Sequence, residues 1–270
     1  MRCCQLVLSI LVVLLVHSSV VQAAPMVFFG KFDAPDFNQL NTAYPNGGEN
    51  YCVPTSCADG IVWLHDHGFG ALPDASQEED IINELANLMG TNPDAGTGST
   101  GAINGMESYL RRYYEDIFSD SFGVSSSTSE SLEEQWEKVE NYVSQPDTVV
   151  ILRCHGYSNG YIIASHAVFL AGYDMTNYAS SENFEVSVHD PYTGPTELTD
   201  TYTVEAENIS GNYYYATTEY VGTDDFPVDK VSVYGAYAFQ IVPEPGLLAL
   251  LITSMLAMLN MPWFGRQSNR

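Results

Sequence analysis

The segment Asn50-Tyr51-Cys52-Val53-Pro54-Thr55-Ser56 decides how the first half of this chain reads. Proline is favoured in the first turn of a helix, where its missing N–H would have been unpaired anyway, so Pro54 sets a helix start at or near Cys52. Ala58, Ile61, Val62 and Leu64 continue a helical pattern to about His67, and Gly68 and Gly70 stop it. A cysteine in that position faces unpaired backbone N–H groups and the positive end of the helix dipole. Both favour the nucleophilic thiolate, and the same N–H groups can hold an oxyanion beside it.

Outward from this helix, Ser76 with Glu79 makes a capping-box signature for a second one through Ile81, Ile82, Leu85, Leu88 and Met89, closed by Gly90. Ile103, Met106, Tyr109, Leu110 and Tyr113 repeat the helical spacing. Ser131 with Glu134 caps a further helix carrying Leu132, Trp136, Val139 and Val143. After Pro146 the pattern changes to strands at 148–153, 166–173, 184–188, 213–220 and 231–241. Helices first and strands later, without βαβ alternation, predict an α+β fold with N-terminal helices packed on a C-terminal antiparallel β-sheet.

A thiol nucleophile needs an acid–base partner. His166 opens the apolar run 166–173, where a strand would hold its ring rigidly. Asp190, in His189-Asp190-Pro191, ends the next strand and returns to His166 if the two strands pair antiparallel. Asp174 lies along the strand of His166 itself, about 26 Å away at roughly 3.3 Å per residue, too far to orient the ring. His155 and His189 are the competing bases. His65-Asp66-His67 has its histidines two apart on a helix, where side chains diverge, so no metal site is expected there, and no cofactor elsewhere.

An apolar run from Leu6 to Val16 behind Arg2, followed by small residues near Ala23, predicts a cleavable secretory signal over 1–23. Residues 24–241 are then one domain with a full core, and 242–270 a tail with an apolar span at 246–264. A formal net charge of −25 repels phosphate backbones and anionic lipid surfaces, so nucleic-acid binding is not expected. Of five cysteines, three remain after signal removal: Cys52, Cys57 and Cys154. An odd number in an oxidising compartment suggests a Cys57–Cys154 disulfide with Cys52 free, the alternative being three buried free thiols.

The order cysteine on an early helix, histidine on a strand, aspartate at the end of the next strand, with the Tyr51-Cys52-Val53-Pro54-Thr55 box and the Gly172-Tyr173-Asp174 ending, resembles papain-like cysteine peptidases. The similarity is to the branch of double-glycine leader peptidases of bacteriocin exporters. It implies a papain-like cysteine proteinase fold, a peptide substrate, and an acyl-enzyme made by Cys52 as nucleophile, His166 as base and Asp190 as orienter. The family places an oxyanion amide about six residues before the cysteine; Asn46 stands there, with Asn50 as its substitute. The tail, Val242-Pro243-Glu244-Pro245, the apolar span and Arg266 and Arg270, resembles the PEP-CTERM sorting signal. That implies an exosortase partner and export by a Gram-negative bacterium to the periplasm, outer surface or extracellular matrix, with a transient inner-membrane anchor; a permanent anchor is the alternative. Two other functions fit the same residues: a non-catalytic surface scaffold bound to extracellular polysaccharide, and a transglutaminase or deamidase.

Overall fold

The computed structural model describes residues 28–41, 43–174, 183–192, 200–219 and 228–242. The signal expected over 1–23 and, apart from Val242, the sorting tail expected over 242–270 with its span at 246–264 lie outside these residues. Among the described residues no helix is long and apolar enough to cross a membrane.

Four helices form: α1 (Cys52–Asp66), α2 (Glu78–Met89), α3 (Ser99–Leu110) and α4 (Ser129–Val143). The strands are β1 (Phe28–Gly30), β2 (Ile117–Gly123), β3 (Thr148–Ser158), β4 (Tyr161–Asp174), β5 (Asn183–His189), β6 (Asp200–Ile209), β7 (Asn212–Thr217) and β8 (Lys230–Ile241). Gly90 ends α2 in the left-handed conformation, as its position predicts. The two capping boxes sit differently. Asp74 caps a short 3-10 turn ahead of α2 by accepting from the Ser76 N–H, and the Thr128 side chain accepts from the Ser131 N–H to cap α4.

The expected architecture of helices packed on an open sheet, as in the papain-like fold, is corrected by the strand pairing. Strands outweigh helices, and β4 pairs with β3 on one side and with β5 on the other. The order β4-β3-β8-β7-β6-β5 therefore returns to β4 as a six-strand antiparallel barrel, with β1 added on β4 and β2 on β8. Two physical features produce the closure. Register shifts at Arg153/Cys154, Gly156/Tyr157 and Leu170/Gly172 are bulges that increase local twist and curl the sheet. The strand β6 completes the ring by pairing with β5 and β7; Tyr202, Val204 and Ala206 alternate with Thr203 and Glu205, yet it is absent from the strands expected above.

Alternate residues of the barrel strands serve two cores. Val149, Ile151, Phe169 and Phe239 pack outward on α1, α2 and α3, against Ile61, Leu64, Ile82 and Met106. Val150, Leu152, Val168, Leu170, Val204 and Val233 form a second cluster with Leu132, Trp136, Val139 and Val143 of α4. Because both faces are buried, β3 reads as a continuous apolar run rather than an alternating one. α4 touches β3 and also β6 and β7, which stand opposite β3 in the ring, so it lies across one end of the barrel. There Trp136 meets Phe184 and Tyr215 at ring-centroid distances of 4.9 and 5.3 Å.

Candidate active site

α1 begins at Cys52 itself, with no side chain capping its N-terminus and no acidic residue in its first turn. Two contacts fix the helix on the barrel. The Ser56 hydroxyl, fully buried, donates to the Ala167 carbonyl at 3.0 Å, next to His166. Gly60 lies so close to Val149 that a side chain there would collide with it. Helix start and strand are thereby held at a set distance, and Cys52 and His166 line one cavity.

His166 faces Cys154 across the β3–β4 register, well inside β4 rather than at its start. Its Nε2 is 2.7 Å from Asp190 Oδ1, an oxygen that also accepts the Tyr192 N–H at 2.9 Å. Asp190 is 1 % exposed, so its charge is poorly screened by water. Cys52 lines the same cavity and contributes to the raised pKa of this imidazole; with Nε2 committed to Asp190, Nδ1 is the nitrogen left for sulfur. Burial by itself pushes the His166 pKa down, but the charge and hydrogen bond of Asp190, followed by Cys52, outweigh it and hold the ring well above its ordinary value. Burial, then the charges of Asp200 and Asp190, push nearby Asp36 up to about 7.

The competing histidines are elsewhere. His155 stacks on Tyr234 at 3.8 Å and His189 packs edge-on to Phe169; neither lines the cavity. Burial lowers both, His189 to about 4. His65 and His67 turn their Nδ1 atoms to backbone carbonyls, of Leu72 and Trp63. The expected Cys57–Cys154 disulfide is not formed: all three described cysteines are free thiols. Cys57 belongs to the helix-facing core and Cys154 to the barrel-facing one, so the sheet separates their side chains. Burial raises both thiols, Cys154 to about 12 and Cys57 further.

Of the two expected oxyanion amides, Asn50 lines the cavity and Asn46 does not. Asn46, Gly47 and Gly48 all have positive φ, which turns the chain so that the Asn46 side chain is exposed and reaches the Pro93 carbonyl at 3.3 Å. Asn50 donates to the same carbonyl at 2.7 Å. A third amide was not expected. Gln39, 1 % exposed, lines the cavity; its Nε2 donates to the carbonyls of Gly48 and Glu49, and its N–H to the Pro191 carbonyl. It ties the loop entering Cys52 to the loop leaving Asp190. The signal was one of two adjacent amides, Asn38 and Gln39, between Phe37 and Leu40, hidden because the turn at 43–48 separates it from the cysteine box. Arg153 also lines the cavity, its guanidinium over Tyr234 and Tyr237 at 5.0 and 4.8 Å.

A thiol at a helix N-terminus, in one cavity with a strand-borne histidine that a buried carboxylate holds, is the arrangement by which cysteine hydrolases work. The Peptidase_C39 like family matches residues 31–221, a stretch that includes Cys52, His166 and Asp190, and the chain belongs to that family. No curated protein sequence matches it.

Proposed function

We propose that this protein is a cysteine peptidase acting through Cys52, His166 and Asp190. The observation that carries this reading is the His166 imidazole: the ring bonds the buried Asp190 carboxylate and lines one cavity with Cys52 at the start of α1. In the reaction, Cys52 sulfur attacks the peptide carbonyl carbon and the carbonyl electrons move to oxygen, forming an oxyanion beside the start of α1. Asn50 and the first-turn N–H groups are the donors available there. As the oxyanion collapses, the C–N bond breaks and the His166 imidazolium protonates the departing amine. Water then adds to the thioester and gives its proton to His166, and the released acid leaves Cys52 free. Asp190 keeps the ring in the tautomer that faces sulfur. Family membership supports a peptide or protein as substrate.

The chain's ends support a setting for this chemistry. The signal over 1–23 would export the protein, and the Pro-Glu-Pro tail would hold it in the inner membrane until an exosortase removes it. The peptidase would then act in the periplasm, at the outer surface or in the matrix of a Gram-negative bacterium.

The deciding experiment maps iodoacetamide alkylation at neutral pH on the purified chain and on His166→Ala, alongside turnover of a fluorogenic peptide library. Rapid alkylation at Cys52 that falls at least about tenfold in His166→Ala, with turnover lost in Cys52→Ala, supports the reading. Equal alkylation in both proteins and no turnover would sink it.

A further inference from the structure

The cavity containing Cys52 and His166 does not end at the protein surface. Leu152, Val168, Val188, Val204, Tyr215 and Val233 line it, one from each strand of the barrel. A single space touched by all six strands lies inside the ring. The whole cavity, from Asn50 and the loop residues 94–99 to the barrel interior, has a volume of about 800 Å³, in the range of ligand pockets. The interior of a small barrel is ordinarily filled by its own side chains. Here the end under α4 is filled by Trp136, Phe184 and Tyr215, whereas toward Cys52 the inward positions are largely valines, which leave the space that leucine or phenylalanine would occupy. The six lining residues are at most 6 % exposed, and each presents carbon to the space. Polar side chains, among them Arg153, Tyr202 and Thr217, share the lining, and the apolar surface is the part of the wall that these six residues form.

We infer that the barrel interior is the specificity pocket of this enzyme, taking a large aliphatic or aromatic side chain next to the scissile bond of a peptide. The inference rests on the peptidase reading and goes beyond it by naming the substrate class. Geometry supplies the link: the pocket and the reacting groups share one continuous cavity, so a peptide bond at Cys52 leaves a neighbouring side chain free to enter the barrel.

The test compares fluorogenic peptides that differ only at the residues flanking the cleaved bond, with Gly, Ala, Leu or Phe there, on the purified full-length chain. Leucine and phenylalanine peptides are expected to exceed the alanine peptide in kcat/KM by at least about tenfold. Val204→Phe should remove that preference and Val204→Ala should shift it toward phenylalanine; the second variant decides the matter if the first does not fold. A flat profile, or a preference that neither substitution moves, overturns the pocket. Calorimetric titration of Cys52→Ala with the phenylalanine peptide separates the two claims. Saturable binding that Val204→Phe abolishes, in a chain that turns over no peptide, upholds the pocket and removes the peptidase reading. Turnover without preference does the reverse.

Discussion

His166 Nε2 lies 2.7 Å from Oδ1 of Asp190, and the aspartate is almost wholly withdrawn from water. The pair joins residues on β4 and just beyond β5, two strands whose pairing closes the barrel. Asp190→Asn keeps the shape and removes the charge that, against burial, holds the His166 pKa up. Peptide turnover is expected to fall by roughly 100-fold or more. An NMR titration should show the His166 ring losing its proton at lower pH than in the wild type. Because the folded value is raised, the pair's stabilising effect through His166 is full below the ordinary imidazole value and disappears as pH rises through the folded one.

Asp59 on α1 is fully buried, with Oδ1 accepting the Phe37 N–H at 3.0 Å and Oδ2 without a partner. Burial, only partly offset by that hydrogen bond, raises its pKa well above the ordinary carboxylate range. The folded state then holds a proton that the unfolded chain releases, so this group's contribution is full at acidic pH and declines as pH rises from about 4 through its folded value. Asp59→Asn carries no such proton. The melting temperature of the variant relative to wild type should therefore rise steadily as pH is raised from 4. A constant difference across pH would show that Asp59 titrates normally. Comparing the two proteins cancels the opposite effect of His189, whose pKa burial lowers to about 4.

Gly48 has φ near 80° and sits against the Gln39 carbonyl, where an added methyl group would collide with backbone. Gly48→Ala should cost about 2 kcal/mol in chemical denaturation. It should also slow Cys52 alkylation, because the displaced turn leads directly into α1. Gln39→Ala should weaken the same turn by about 1–3 kcal/mol, since it strips the carbonyls of Gly48 and Glu49 of their donor.

Cys57 and Cys154 are free, buried and held as neutral thiols by that burial. A thiol reagent added to the native protein should label Cys52 alone among the described cysteines. Cys57 and Cys154 should react only after denaturation, without prior reduction. Mass spectrometry finding the two cysteines joined in the native protein would contradict this arrangement.

Much of the site could be read before any coordinates. The helix start at Cys52 is a local event, set by Pro54 within the first turn and by the apolar spacing that follows. The antiparallel return that brings Asp190 to His166 follows from two adjacent strands joined by a short segment. Gln39 could not be read so easily, because its role depends on three loops meeting, at Gly48, Glu49 and Pro191. Asn46 has the expected spacing, but three consecutive positive-φ residues turn its side chain out to solvent.

Periodicity in the chain was enough to place the four helices and the strands β3, β4, β5, β7 and β8, since each depends on neighbours a few residues away, while β1, β2 and β6 were not read from it. Side-chain chemistry and chain order, not periodicity, singled out Cys52, His166 and Asp190 as candidates. Barrel closure was decided only in three dimensions. Whether β4 ends a sheet or gains β5 as a second partner depends on twist summed over bulges at 153, 156 and 170, and on β6 bridging β5 and β7. The pairing of thiols was decided there too. Cysteine count speaks to disulfides, but the sheet lies between Cys57 and Cys154, and a covalent bond needs its two sulfurs on the same side.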